Sequence, residues 1–127
     1  MVYPAPMRFE PDDLALLDAT EEIEIETAVP GGPAHRTIIW VVVDAGEAFI
    51  RSVNGTTARW YREAVADPSV TIHVDGRSLP ARARPATDPD AVARTSAALE
   101  GKYAGSPSMA SMVVTDILDA TMRLTPA

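Results

Sequence analysis

The segment that most constrains the fold is a pair of apolar runs joined by the turn residues 44–46. The first run, residues 37–43, carries apolar side chains on both faces, so we expect it at the centre of a sheet or under a helix or second subunit. A three-residue turn of this composition returns the chain antiparallel to itself, so residues 48–53 should pair with the first run. The sequence therefore predicts a core β-hairpin whose exit, from Arg51 onward, is polar and basic.

Alternating apolar and polar residues mark further strands on both sides of this hairpin. Proline and aspartate at helix starts, followed by apolar residues at helical spacing, mark the helices. The predicted strands are 21–27, 37–43, 48–53, 70–75, 79–86 and 121–125, and the predicted helices are 11–19, 57–66, 88–103 and 106–119. Either Thr56 or Thr57 should cap the second helix. Six short strands joined mostly by tight turns favour a mainly β fold, an antiparallel barrel over residues 21–126 with peripheral helices, in one domain spanning 1–127.

The charge distribution excludes one class of partner. Eight acidic residues against one basic residue precede Arg36, and they account for the whole formal net charge of −7. Nonspecific binding to nucleic acid depends mostly on Lys and Arg at phosphates, so no nucleic-acid partner is expected. Arg51, Arg59 and Arg62 nevertheless outnumber the single acid Glu63 in their segment. A small anionic ligand is therefore compatible with this acidic chain.

Several absences from the sequence narrow the function further. The chain has no cysteine, which removes disulfides and thiol chemistry, and no apolar run that could span a bilayer. Residues 1–10 lack the pattern of a secretory signal, so we expect a cytoplasmic protein with no membrane partner. His35 and His73 fall on separate elements without an obvious third ligand, so no metal site is predicted. Motifs typical of hydrolases and nucleotide-binding folds are also missing.

The segment that follows the hairpin concentrates groups that bind phosphate. A strand end, a glycine turn and a helix start bring free amides, hydroxyls and guanidinium groups together, as a phosphate monoester requires. The members of this cluster are Arg51, Ser52, Asn54, Gly55, Thr56, Thr57 and Arg59. The alternative is purely local, with Asn54 and Gly55 as a tight turn and the threonines as a helix cap. Spacing alone leaves both explanations open.

The sequence resembles the FMN-binding split-barrel superfamily, which includes pyridoxamine phosphate oxidases and the flavin and deazaflavin (factor 420) oxidoreductases. The residues that carry the resemblance are 40–44 (WVVVD), 46–52 (GEAFIRS), Gly55, 59–62 (RWYR), 67–70 (DPSV) and 122–126 (MRLTP). The match extends over most of residues 20–126 and is closest to an uncharacterised bacterial branch. It implies a six-stranded antiparallel split β-barrel, a homodimer, and FMN or the deazaflavin coenzyme bound at the subunit junction.

The resemblance also implies which residues bind the cofactor. Arg36, Thr37 and Ile38 would hold it from the second strand. Arg51, Ser52, Asn54, Gly55, Thr57 and Arg59 would hold its phosphate after the third strand, and Trp60 belongs to the same expected set. Side chains alternate along a strand, so Arg51 and Ser52 should lie on opposite faces.

Three functions remain open from the sequence. The first is a flavin- or deazaflavin-dependent oxidoreductase acting on an unknown small organic substrate, in which the cofactor carries the chemistry. No catalytic side chain is assigned, although Tyr61, Tyr103 or His35 could donate a proton. The second is a non-catalytic flavin- or haem-binding module of the same fold, and the third is a cofactor-free structural dimer.

Overall fold

The computed structural model describes residues 8–127. The first seven residues of the predicted domain lie outside this range, and they include most of the segment searched for a secretory signal. The strands are β1 (Ile23–Thr27), β2 (His35–Ile39), β3 (Val41–Asp44), β4 (Glu47–Arg51), β5 (Ser69–Val74), β6 (Arg77–Pro85) and β7 (Thr121–Pro126). The helices are α1 (Pro11–Ala19), α2 (Arg59–Ala66) and α3 (Pro89–Lys102). Among residues 8–127, no helix combines the length and apolar character needed to cross a membrane.

The seven strands form one antiparallel sheet in the order β2-β1-β5-β6-β7-β4-β3. The sheet is curled, and one set of alternating side chains, such as Ile25, Ile72 and Leu124, is buried inside it. A second apolar cluster, which includes Phe49 and Leu99, lies between the outer face of β4 and α3. The predicted mainly β, antiparallel barrel with peripheral helices is confirmed.

The apolar run 37–43 is divided into two strands at Trp40, which is why the sheet has seven strands where the sequence predicts six. β2 pairs only with β1, and β3 pairs only with β4, so the two strands lie at opposite ends of the sheet order. Of the alternatives expected for this run, a single central strand is therefore wrong, whereas cover by a helix holds for β3. Contacts with α1 and α3 cover β3, whereas Ile38 in β2 is 64% exposed.

The hairpin between β3 and β4 is present, but its turn is shorter than predicted. Asp44 pairs with Glu47, so only Ala45 and Gly46 form the turn, with φ values of 48° and 78°. Two successive positive φ values are typical of the two-residue turn whose twist matches that of the flanking strands. The predicted three-residue turn is wrong by one residue.

The connection from β4 to α2 also differs from the prediction. A 3-10 turn, Gly55–Thr57, precedes the helix, and the N-cap residue is Ala58, which makes no side-chain cap bond. The hydroxyl of Thr57 instead donates to the Asn54 carbonyl at 3.1 Å, so the predicted threonine cap is wrong. The hydroxyl stabilises the turn that precedes the helix.

The region after α3 forms two 3-10 turns, Met109–Met112 and Thr115–Ala120, where the sequence predicts one helix over residues 106–119. Met112 and Ile117 are buried. The predicted single helix is therefore wrong. Its apolar spacing instead places one buried side chain from each of two short turns in the core. The second turn contacts β4, and Met112 in the first turn accepts a hydrogen bond from Arg51 at the end of β4.

Candidate functional site

A cleft of about 350 Å³ opens between β2, the segment after β4 and the first turn of α2. The side chains around it are Glu22, Thr37, Ile38, Ile39, Trp40, Arg51, Val53, Asn54, Trp60, Ser108 and Met112. Half of the ten residues expected to bind a cofactor are among them: Thr37, Ile38, Arg51, Asn54 and Trp60. The fold brings them together although β2 and β4 are not neighbours in the sheet.

Arg51 ends β4 and forms a buried part of the cleft, with only 2% of its surface exposed. Its guanidinium donates to Thr121 Oγ1 at 2.8 Å, Ser96 Oγ at 2.9 Å, Met112 O at 3.0 Å and Val92 O at 3.1 Å. These bonds use four of the five guanidinium N–H groups. Within residues 8–127 the fifth, on Nη2, has no partner.

The charge of Arg51 is not neutralised by any carboxylate of the described residues. Burial lowers the pKa of Arg51, but a guanidinium remains protonated in proteins. Removing an unpaired ion from water costs on the order of several kcal/mol, even after the protein relaxes. An anion bound in the cleft would offset this cost, so the site favours a ligand that carries a negative charge.

Most of the cleft is apolar. Ile38 and Val53 lie at its edge and are 64% and 50% exposed, whereas Trp60 and Met112 are buried. Trp40 contributes a second indole ring. The polar part of the lining consists of the Arg51 guanidinium, the Glu22 carboxylate, which forms no salt bridge with it, and a few hydroxyl and amide groups. A mainly apolar lining with a few polar groups is typical of small-molecule sites.

Arg36 and Arg59 lie outside this cleft. Arg36 points to the outer face of the sheet, where its Nε is 3.4 Å from Glu26 Oε1, beside His73 and in a separate depression. Arg59 begins α2 and is exposed to solvent. The structure therefore does not bring these two arginines to Arg51.

Ser52, Gly55 and Thr57 are also absent from the lining. Ser52 is 1% exposed, and its hydroxyl has no hydrogen-bond partner among the described residues. Gly55 is buried with a φ of 72°, a conformation that glycine adopts without strain. For Gly55 and Thr57 the local turn accounts for their positions, and that turn presents Asn54 to the cleft.

None of the three proton donors considered from the sequence lines the cleft. Tyr61 donates to Asp119 O at 3.3 Å, and Tyr103 donates to Glu21 O at 2.6 Å. His35 Nδ1 lies 3.1 Å from Glu63 Oε2, in a buried group that sequence reasoning missed. Within the described residues, no three or more histidine, aspartate or glutamate side chains are grouped to hold a metal ion.

Glu63, at the centre of that group, is a buried carboxylate in α2. Thr27 Oγ1 donates to Glu63 Oε1 at 2.8 Å, from β1 beneath the helix. Burial raises the pKa of Glu63, but the hydrogen bonds from Thr27 and His35 outweigh it and hold the pKa below its usual value. The carboxylate therefore stays charged and joins α2 to β1 and β2.

A larger depression, of about 580 Å³, lies between the ends of α1 and α3 and contains none of the predicted site residues. Its cation, Lys102, donates to Val41 O at 2.7 Å and to Leu17 O at 3.0 Å. Burial lowers the pKa of Lys102, with Asp18 and Glu21 acting in the opposite direction. Because the ammonium binds two backbone carbonyls, we assign it a structural role.

A family model described as an uncharacterized protein conserved in bacteria, DUF2255, matches residues 13–124. The chain belongs to the DUF2255 family. This agrees with the uncharacterised bacterial branch expected from the resemblance. A search of curated proteins found no match.

Several solved structures share the fold of this DUF2255 protein at low sequence identity. The conserved hypothetical protein Rv2991 from Mycobacterium tuberculosis is 16% identical, with a TM-score of 0.69 over 100% of this chain and 85% of that one. HutZ, the heme storage protein from Vibrio cholerae, is 15% identical, with a TM-score of 0.64 over 95% and 92%. An F420 reductase is 22% identical, with a TM-score of 0.62 over 89% and 91%. These likenesses confirm the split-barrel fold.

Sequence reasoning missed several residues of the cleft in this DUF2255 protein, notably Trp40, Ser108 and Met112. Ser108 and Met112 are far from Arg51 in the sequence, and no local pattern connects them to it. The one local signal was Trp40, a large aromatic residue inside a run of β-branched residues. The sequence pattern places Trp40 on an apolar strand face and within the segment that carries the resemblance, but assigns it no contact with a ligand.

Proposed function

We propose that this protein binds a flavin or deazaflavin cofactor, FMN or factor 420, in the cleft and acts as an oxidoreductase on a small organic substrate. The observation that carries the proposal is Arg51, a buried cation without a carboxylate partner, beside mainly apolar walls. Both cofactors combine a flat ring system with a phosphate-bearing arm, which matches an apolar surface and a buried positive charge. The F420 reductase with the same fold supports this choice.

In this proposal, five of the expected residues contact the cofactor directly. Arg51 supplies charge and its remaining N–H group to the phosphate, and Asn54 and Thr37 supply neutral hydrogen bonds. Ile38 and Trp60 contact the ring and exclude water. When bound, the cofactor supplies the hydride chemistry, while the protein provides binding, orientation and electrostatics.

A second copy of the chain belongs to the proposal, which places the protein in the cytoplasm as a homodimer. The volume of about 350 Å³ lies near the lower end of the range for small-molecule pockets. Ile38 and Val53 leave apolar surface exposed at the edge of the cleft. A partner subunit over this edge would bury that surface and complete the enclosure of the ligand.

The test is a titration of the purified protein with FMN and, separately, with factor 420, followed by absorbance and fluorescence. Arg51→Lys keeps a charge but cannot reproduce the guanidinium bonds, and should weaken binding roughly tenfold or more. Asn54→Ala changes an exposed residue and should weaken it about twofold to tenfold. Arg36→Ala and Arg59→Ala serve as matched controls, since both arginines lie outside the cleft, and should bind as wild type does.

Circular dichroism and thermal unfolding of each variant separate loss of binding from loss of folding. The proposal fails if the folded wild-type protein binds neither cofactor. It also fails if the two control variants lose affinity while Arg51→Lys and Asn54→Ala retain it. That pattern would place the phosphate outside the cleft.

A non-catalytic haem-binding module is the second candidate, and one observation favours it. Met112 lines the cleft and offers a thioether, which serves as a haem ligand in some proteins. HutZ, with the same fold, is described as a heme storage protein. A Soret shift on adding hemin that Met112→Leu abolishes, without flavin binding, would favour this candidate.

A further inference from the structure

Trp40 occupies an unusual position in the cleft. It lies at the break between β2 and β3, and its ring is stacked on that of Tyr103 with a centroid separation of 3.8 Å and an interplanar angle of 3°. Tyr103 is buried and covers one side of the indole, while Trp40 itself is half-buried and lines the cleft. The pair therefore presents indole surface to the cleft with a second ring behind it.

Hydrogen bonds from the end of α3 fix the position of this pair. The Tyr103 hydroxyl donates to Glu21 O at 2.6 Å, and Lys102 Nζ donates to the carbonyl of Val41, directly after Trp40, at 2.7 Å. Burial raises the pKa of Tyr103 to about 12, so its hydroxyl remains a donor at neutral pH. An aromatic surface whose position is fixed in advance loses little conformational entropy when a ligand binds.

We infer that Trp40, supported by Tyr103, is the surface on which the flat ring of the ligand stacks in the cleft. The inference rests on the proposed function and adds a residue that neither the sequence nor the expected cofactor contacts had assigned. Trp40 and Arg51 line the same cleft, so a ligand with an aromatic ring and an anionic arm can contact both. The ligand class is an electron-poor, planar heterocycle that carries a phosphate or carboxylate.

Trp60 is the alternative platform, and its surroundings argue against that role. It is only 5% exposed, and its ring lies edge-on to Tyr61, at 6.0 Å and 73°. Little of its face is therefore accessible to a ligand. We expect Trp60 to contribute an apolar boundary, and Trp40 to contribute the stacking contact.

The experiment uses the fluorescence of the flavin itself as the readout of stacking. An indole in face contact with an excited flavin quenches its emission by electron transfer, whereas a flavin bound without such contact stays brighter. Wild type, Trp40→Leu, Trp40→Phe, Trp60→Phe and Tyr103→Leu are titrated with FMN and, separately, with factor 420, which is also fluorescent. Binding is measured by equilibrium dialysis, which is independent of fluorescence.

Wild type and Trp60→Phe should quench bound FMN strongly, and Trp40→Leu, which retains only the edge contact of Trp60, should quench it much less. The affinity of Trp40→Leu should fall by about fivefold to a hundredfold, the range expected for losing an aromatic stacking partner. Trp40→Phe, which keeps an aromatic ring, should recover most of the affinity. Tyr103→Leu should give an intermediate loss because the indole loses its support.

The possible failures are distinguishable. If Trp40→Leu remains folded by circular dichroism and binds and quenches FMN as wild type does, the assignment of Trp40 is overturned and the proposed function stands. If quenching disappears in Trp60→Phe instead, Trp60 is the platform and the inference is wrong. If wild type binds no flavin or deazaflavin by dialysis, both the proposed function and this inference are overturned.

Discussion

Replacing Thr27 by valine should destabilise the fold by about 1–2 kcal/mol because it removes a hydrogen bond to a buried charge. Thr27 is 2% exposed, and its hydroxyl donates to Glu63 at 2.8 Å. A hydrogen bond to a charged group contributes about 1.5–3 kcal/mol, and burying a methyl in place of the hydroxyl recovers less than about 1 kcal/mol. For a domain of this size, the net loss corresponds to a fall in Tm of about 3–8 °C.

Urea unfolding of Thr27→Val, Glu63→Leu and the double variant at pH 7 gives the coupling energy between the two side chains, because each single variant removes the hydrogen bond. Thr71→Val is the matched control, a strand threonine whose hydroxyl makes no side-chain hydrogen bond among the described residues, and it should change stability by less than about 0.5 kcal/mol. Thr27→Val should also raise the pKa of Glu63, so acid unfolding begins at higher pH. A coupling energy below about 0.5 kcal/mol would refute the reasoning.

Two further predictions concern pH and assembly. The hydrogen bond with His73 lowers the pKa of Glu26, and hydrogen bonds and nearby arginines outweigh burial to lower that of Glu47. These carboxylates therefore stabilise the fold fully above their usual pKa of 4.5. The stabilisation is lost as the pH falls through their lower pKa values in the folded protein. A free energy of unfolding that stays constant down to about pH 3 in urea titrations would contradict the assignment. Ile38→Glu should convert a dimer to a monomer in light scattering, whereas Val65→Glu, an exposed valine on α2, should not. An unchanged mass for Ile38→Glu would exclude this edge as the interface.

The fold was predictable wherever a local pattern decides the structure. Alternating burial along β1 and β6, and the start of α3 at an aspartate N-cap, follow directly from the sequence. The break at Trp40 could not be predicted because residues 37–43 contain neither glycine nor proline, and each half pairs with a different strand. Only the closure of the barrel determines where that run must divide.

The candidate site was predictable only in part, because it too depends on contacts between segments that are far apart in the sequence. The basic exit of the hairpin directs attention to Arg51 and Asn54, and both line the cleft, but their binding of a cofactor stays a prediction. Arg36 and Arg59 look equivalent to Arg51 in sequence, yet they face solvent or pair with a carboxylate. Arg51 differs from Arg36 and Arg59 because it is buried. Its burial depends on contacts with the 3-10 turn Met109–Met112 and with α3.

The burial of Arg51 without a counter-ion connects stability to function. Replacing buried ion pairs by apolar residues is often neutral or stabilising, and a lone buried guanidinium has even less Coulombic compensation. Its four hydrogen bonds satisfy four of the five N–H groups, and no carboxylate of the described residues pairs with the charge. In the proposed function, the anionic group of the cofactor would supply this compensation and would accept a hydrogen bond from the fifth N–H group. It follows that ligand binding should raise Tm in wild type, and should do so much less in Arg51→Lys than in Arg59→Ala.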